Sequence, residues 1–324
     1  MPPLSDPSAC PSPRRLSALG LALGALSALC APPPAMAGNA FDQALAENPI
    51  QAYHPNFMAI ASDHGESKVQ FLVSFQYNLT PFAKDAFGLG PYRFDGFNFV
   101  YDGLYDFDSM TRHSQPVVSR LQNPGWVFSF RAPEGPRAWG LDGWDAGWFH
   151  ESNGQVVDKK ADYDALYAKI GQAATDSVSR GWDYWYLSPR FTWRGDSLRL
   201  RFSPALRIYD GSEAANYTPA EQDIFWKAGA PPSTIYDYDG LRAQASAEWL
   251  PPHRGLSYVG LDASVRTGYN SGHFAQNWSE HLVFTVKTWH LPLFVYFDNG
   301  YGPYISDYST WSQGWGLGVR YWGP

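Results

Sequence analysis

The clearest pattern along the chain is an alternation of apolar and polar side chains. Between Val69 and Leu79 the odd-numbered positions are large and apolar or aromatic, whereas the even-numbered positions are mostly polar. The same alternation recurs over residues 198–203, 261–266 and 315–322. A period of two residues predicts β-strands with one apolar and one polar face. The chain is therefore predicted to be all-β.

Two architectures fit strands of this kind. In a soluble sandwich the apolar face points into a core, whereas in an outer-membrane barrel it faces lipid and the polar residues fill the interior. Aromatic residues make up 17% of the chain, with 14 Trp, and charged residues only 17%. Such a composition is typical of aromatic girdles at a membrane boundary or of a carbohydrate-binding surface. Aromatic residues near the strand ends favour the barrel.

The N-terminal segment also favours the barrel. Arg14 and Arg15 precede an apolar run over residues 16–31, and a small-residue Ala-Met-Ala site follows. This pattern predicts a cleaved signal peptide over residues 1–37, ahead of a single domain over residues 38–324. A retained membrane anchor is the alternative, but the run is short and contains few large apolar side chains.

Composition excludes several classes of function. Cys10 and Cys30 both lie in the predicted signal peptide, so disulfides, thiol catalysis and cysteine-bound metal are not expected in the mature chain. A net charge of -7 argues against nucleic acid as a partner. Residues 162–174 have apolar side chains at helical spacing and predict a short helix inside a loop, and residues 211–234 predict a long surface loop.

Candidate chemistry lies in the segment 144–154. If this segment is a strand, His150 and Ser152 share its apolar face with Trp144 and Trp148, and an Asn-Gly pair marks the exit into a loop. Consecutive strands are normally antiparallel neighbours, so the end of this strand meets the start of the next.

The next predicted strand, residues 179–187, carries Asp183 on its apolar face. His150, Ser152 and Asp183 are then expected together on the outside of the barrel, at its rim. A serine needs an adjacent base, and the base needs a group that fixes its tautomer. This arrangement predicts a serine hydrolase acting on lipid, although a His-x-Ser pair also arises by chance on a strand.

These residues resemble outer membrane phospholipase A. That family carries the pattern His-x-Ser-Asn-Gly, found here at residues 150–154, and Ser-Arg-x-Trp followed by Asn, found here as Ser-Arg-Gly-Trp-Asp at 179–183. Further similar segments lie at residues 114–124, 267–269 and 300–308, and the resemblance covers residues 56–321.

The resemblance implies a barrel of about twelve antiparallel strands that dimerises in the membrane and needs Ca²⁺. Carried over by position, the calcium ligands are the Ser179 hydroxyl and the backbone carbonyls of Ser114 and Gln155, all oxygen donors of the kind calcium prefers. Calcium-bound waters and the backbone N–H of Ser152 would stabilise the oxyanion.

Two departures from the family pattern affect the site. Asp183 stands where the family has Asn, and we expect activity to persist with a shifted pH profile. Residues 155–178 are a longer insertion than the family has; the direction of the Gln155 carbonyl depends on this turn, and Asp158 is the alternative ligand. The insertion is expected to be a solvated surface helix, with a lid over the lipid site as the alternative.

The predicted function is a calcium-dependent outer-membrane phospholipase that hydrolyses sn-1 and sn-2 acyl esters of phospholipids and lysophospholipids. One alternative is a non-catalytic porin or channel, and another is a soluble β-sandwich that binds polysaccharide. The predicted inward-facing arginines fit either a packed polar interior or a pore lining; they are Arg199, Arg201, Arg266 and Arg320.

Overall fold

The computed structural model describes residues 50–63, 66–80, 83–107, 120–132, 140–171, 174, 177–210, 235–252, 256–269, 277–288, 291–301 and 311–321. The predicted signal peptide, the predicted loop at 211–234 and the candidate ligand Ser114 lie outside these residues.

The described residues form one antiparallel sheet and a short helix. The strands are β1 (Ile50–Gln51), β2 (Asn56–Asp63), β3 (Glu66–Asn78), β4 (Gly88–Leu89), β5 (Tyr92–Phe107), β6 (Arg120–Arg131), β7 (Leu141–Ser152), β8 (Gly181–Arg194), β9 (Leu198–Asp210), β10 (Gly240–Trp249), β11 (Leu256–Gly268), β12 (Trp278–Thr288), β13 (Leu291–Tyr301) and β14 (Trp311–Tyr321). Helix α1 spans Lys160–Ile170, and a short 3₁₀ helix spans Ile235–Asp237. Among the described helices, none has the length and apolar character needed to cross a membrane.

The sheet closes into a barrel of twelve strands, β2, β3 and β5 to β14. The closure is made by β2, which pairs with β14 on one side and with β3 on the other, while β3 also pairs with β5. The two-residue strands β1 and β4 extend the pairing of β3 and β5. A closed antiparallel barrel confirms the predicted fold class, and the soluble sandwich is wrong.

The two faces of the strands separate as the alternation predicts. On β14, Trp315, Leu317 and Tyr321 point outward and are about half exposed, whereas Arg320 between them is buried in the interior. An apolar outer surface with polar groups inside is the reverse of a soluble core and is typical of a barrel surrounded by lipid.

The interior is a polar network rather than a row of bare charges. Arg199 and Arg201 contact Glu248, and Arg320 contacts Asp262. Each of these three predicted inward arginines therefore has a carboxylate partner, as a packed polar interior requires. A cavity of about 350 Å³ remains in the lumen.

The barrel has two different ends. The end at which β7 stops and β8 starts, here called the site rim, also carries the connections at residues 108–119, 211–239 and 302–310. The opposite end joins β8 to β9 by a tight turn and holds the two-residue connection from β12 to β13, the start of β2 and the end of β14. Barrels of the outer membrane have their longer loops on the extracellular side and short turns on the periplasmic side.

Candidate functional site

The candidate site lies at the end of β7, and the burial pattern fixes which side chains face outward. Phe149 and Glu151 are buried toward the lumen, whereas His150 and Ser152 are partly exposed on the outer face. Alternation places residues two apart on the same face of a strand. The structure thus places His150 and Ser152 on the outer surface at the site rim.

Asp183 meets His150 across the strand pair. In the register of β7 with β8, His150 lies opposite Asp183 and Ser152 opposite Gly181. The distance from His150 Nδ1 to Asp183 Oδ1 is 2.7 Å. A proton on Nδ1 that is donated to this carboxylate leaves Nε2 free to accept one, which is the tautomer that a general base needs.

Ser152 is placed beside this pair on the same face of β7. Cα atoms two positions apart on a strand are about 6.5–7 Å apart, a distance that two side chains on one face can span. Among the described residues, no hydrogen bond joins the Ser152 hydroxyl to His150. Catalytic hydrogen bonds are often long without substrate and form when the substrate orders the site.

The strand ends at the site rim are joined by Asn153, whose side chain is buried. Its Nδ2 donates to the Val178 carbonyl at 2.8 Å, and its Oδ1 accepts from the Arg180 backbone N–H at 2.9 Å. The backbone of Val157 forms a parallel bridge with Val178 further along. These contacts form a neck between the end of β7 and the start of β8, so the long insertion leaves the strand ends together.

The strand that carries the site is anchored inside the barrel by Glu151. Glu151 Oε2 accepts from Arg207 Nη1 at 2.9 Å, and both side chains are more than 90% buried. Arg207 Nη1 also lies 3.6 Å from Asp239 Oδ2. Because Glu151 stands between His150 and Ser152 in the sequence, this buried ion pair holds the position of both outward side chains.

Two outward residues on β6 belong to the same surface and were missed by the sequence analysis. Gln122 lies opposite Ser152 in the register of β6 with β7. Arg120 Nη2 donates to the Gly154 carbonyl at 3.1 Å. Only cross-strand register brings these residues to the site, and the sequence pattern gives alternation but not register.

The candidate calcium ligands are partly brought together. Gln155 and Ser179 both lie in the neck, where the Gln155 N–H contacts Asn153 Oδ1 and the Ser179 N–H donates to the Val157 carbonyl at 2.8 Å. Their oxygen atoms are of the type that calcium prefers. Within the described part of the chain, no group of three or more His, Cys, Asp or Glu side chains could hold a metal ion.

The insertion packs against the lumen residues rather than over the outer face of the barrel. Helix α1 covers Lys160–Ile170 and has no buried residue. It starts two residues earlier than the predicted helix over residues 162–174, and it ends four residues earlier. Tyr163 packs against a cluster of buried lumen residues that includes Val178, Trp182 and Tyr184. The contact agrees with the expected surface helix and gives no support to a lid over Ser152.

Solved structures share this architecture. The chain matches outer membrane phospholipase A from Escherichia coli at a TM-score of 0.54 and 15% identity, covering 84% of this chain and 98% of that chain. The chain has the fold of outer membrane phospholipase A. An active-site mutant of the same protein at pH 6.1 matches at a TM-score of 0.54 and 16% identity, covering 85% of this chain and 93% of that chain.

A third structure with the phospholipase A fold is the Salmonella typhi outer membrane phospholipase dimer with bound calcium. It matches at a TM-score of 0.53 and 15% identity, covering 83% of this chain and 91% of that chain. No family model and no curated protein matches the sequence. At these identities the likeness to solved structures concerns the fold.

Proposed function

We propose that this protein is a bacterial outer-membrane phospholipase that hydrolyses sn-1 and sn-2 acyl esters of phospholipids and lysophospholipids. The observation that carries the proposal is the His150–Asp183 contact of 2.7 Å on the outer face of the barrel, two positions from Ser152. A catalytic group on that face meets membrane lipid directly. Residues 1–37 would be a cleaved signal peptide.

Each residue has a role that its position permits. His150 Nε2 takes the proton of Ser152 Oγ as the hydroxyl attacks the ester carbonyl, and it then protonates the departing alcohol. Asp183 holds Nδ1 and stabilises the imidazolium. Water hydrolyses the acyl-enzyme in the second half of the reaction, with His150 again as base.

Calcium is part of the proposal because the Salmonella structure holds it and because the donors here are oxygens. The Ser179 hydroxyl and the Gln155 carbonyl would bind the ion at the neck, with the Ser114 carbonyl as the third predicted ligand. When bound, the ion supplies positive charge near the reacting ester. The Salmonella structure is also a dimer, and we extend dimerisation to this protein.

The decisive experiment measures fatty-acid release from phosphatidylcholine in detergent micelles by the folded barrel, with calcium and with chelator. Ser152→Ala should reduce the rate by on the order of 10⁴-fold or more, because the nucleophile is lost. Ser74→Ala is the matched control, since Ser74 is buried in the lumen. Equal activity of Ser152→Ala and wild type would refute the proposal.

The channel alternative makes an opposite prediction. A channel should conduct ions across a planar bilayer and should be indifferent to Ser152→Ala. The paired interior arginines favour a filled lumen over a conducting one. Ion conductance together with no hydrolysis, whether or not calcium is present, would establish the channel instead.

A further inference from the structure

We infer that the side-chain amide of Gln122 donates a hydrogen bond to the oxyanion formed when Ser152 attacks an ester. The inference rests on the proposed function and adds a catalytic residue to it. The carrying observation is the cross-strand register, in which Gln122 on β6 lies directly opposite Ser152 on β7. Directly opposed residues of an antiparallel pair have Cβ atoms about 4.5–5.5 Å apart when they share a face.

Gln122 shares the outer face with Ser152. Its two sequence neighbours point the other way, because Leu121 packs against the lumen cluster and Asn123 exchanges hydrogen bonds with Tyr184 inside the barrel. Ser152 likewise follows Glu151, which pairs with Arg207 in the interior. Alternation therefore directs the Gln122 side chain outward, alongside the nucleophile.

The amide group of Gln122 lies over the turn that follows Ser152. Gln122 Nε2 is 3.3 Å from the point at which a Cβ on Gly154 would stand. Gly154 has a φ of 58°, and its carbonyl is held by Arg120 at 3.1 Å. The glycine leaves the space beside the amide open, and the guanidinium fixes the turn that bounds that space.

This amide is available for a substrate. Within the described residues, Gln122 makes no side-chain hydrogen bond, and the neighbouring outward position on β6 is Pro124, which has no N–H of its own. In the register of β6 with β7, no residue pair is assigned between the Gln122–Ser152 pair and the Gly125–Phe149 pair. The ladder is thus interrupted beside His150, and Gln122 is the outward side-chain donor directly opposite Ser152.

The chemical step needs such a donor. Attack by Ser152 Oγ forms a C–O bond as its proton passes to His150 Nε2, and the π electrons of the ester carbonyl move onto the carbonyl oxygen. The Gln122 N–H stabilises that negative oxygen. Collapse restores the carbonyl and expels the alcohol, which takes the proton from His150. A donor aimed at the developing charge contributes most in the transition state.

The test compares Gln122→Met, which keeps the length but has no N–H, with Gln122→Glu, which keeps the shape but adds negative charge. Both are assayed as folded barrels in phosphatidylcholine mixed micelles. We expect kcat to fall about 10²-fold in Gln122→Met with KM nearly unchanged, as for loss of an oxyanion donor. The kcat of Gln122→Glu should fall at least as far.

The matched control is Gln313→Met. Gln313 is another exposed glutamine near the site rim, where its Nε2 donates to Asn299 Oδ1 at 2.9 Å, and it is far along the barrel wall from Ser152. This control should retain wild-type kcat. Folding of each variant is checked by its heat-modifiable mobility on a gel, and if Gln122→Met does not fold, Gln122→Glu carries the test.

A second readout separates chemistry from structure. Covalent labelling of Ser152 by an alkyl phosphonate ester places a phosphoryl oxygen where the oxyanion forms. The rate of labelling in the Gln122 variants should therefore fall in parallel with kcat. Unchanged kcat and labelling in folded Gln122 variants would overturn the inference while leaving the phospholipase intact. Absence of Ser152-dependent hydrolysis in the wild type would instead overturn the proposed function.

Discussion

The outer surface and the lumen each hold a histidine paired with an aspartate, and the two regions differ in what surrounds the pair. At the site rim, His150 Nδ1 lies 2.7 Å from Asp183; in the lumen, His54 Nδ1 lies 3.0 Å from both oxygens of Asp102. The two histidines are similarly exposed, at 38% and 43%. Neither the contact distance nor the exposure of the histidine distinguishes them.

The serine beside each pair distinguishes them. In the lumen, Ser74 Oγ donates to Asp102 Oδ1 at 2.5 Å, so the hydroxyl is bound on the carboxylate side of the pair. At the rim, Ser152 is on the same face as His150 and is not bonded to Asp183. A nucleophile must deliver its proton to the free ring nitrogen. On the proposed mechanism, a His–Asp contact can serve catalysis only when a serine stands on the other side of the ring.

The largest expected effect comes from replacing the two histidines in turn. His150→Asn should lower kcat on the order of 10³-fold or more, because the general base is lost. His54→Asn should remain close to wild type, since its ring faces the lumen cavity. The measurement is fatty-acid release from micellar phosphatidylcholine. An equal loss in both variants would break the distinction between the regions.

The next effect tests how the lumen supports the rim. Arg207→Met leaves Glu151 and Asp239 buried without this cation, which should lower the free energy of unfolding by about 3–5 kcal/mol. Urea unfolding in micelles measures the change. Arg194→Met is the control, because its pair with Asp142 is about half exposed and should cost no more than about 1 kcal/mol. Similar costs in both variants would contradict the anchoring role.

A smaller effect is expected when Asp183 is changed to Asn, the residue that outer membrane phospholipase A has at this position. Asp183→Asn should retain activity to within about 10-fold, because an amide oxygen still accepts the Nδ1 proton. The pH–rate profile should differ from that of the wild type, because the amide carries no negative charge beside the His150 ring. An unchanged profile would mean that the charge of Asp183 has no part in the reaction.

The smallest effect concerns the insertion. Tyr163→Ala removes the contact of helix α1 with the lumen cluster and should cost about 1–2 kcal/mol of stability with kcat preserved. Ile170→Ala is the control, since Ile170 is half exposed at the helix end. A large change in hydrolysis with unchanged stability would return the insertion to the role of a lid.

Much of the candidate site was predictable because its spacing is local. Alternation along residues 144–152 placed His150 and Ser152 on one outer face, and the structure has them there. The bounds of helix α1 were less predictable, because its end is set at Gly171, whose φ of 63° interrupts the helix. The lumen pair of His54 with Asp102 gave no signal, since its partners are 48 residues apart.

The sequence by itself determined that the chain forms strands, which side chains share a face of each strand, and which serine and histidine lie side by side. These properties depend on a two-residue period that any single strand carries. The sequence also predicted Asp183 near His150, and the tertiary structure fixed the exact register between them. The tertiary structure alone decided that Gln122 stands opposite Ser152 and that Arg207 holds Glu151. Register and lumen contacts join distant segments, and they are fixed only when the barrel closes and every strand must satisfy both neighbours.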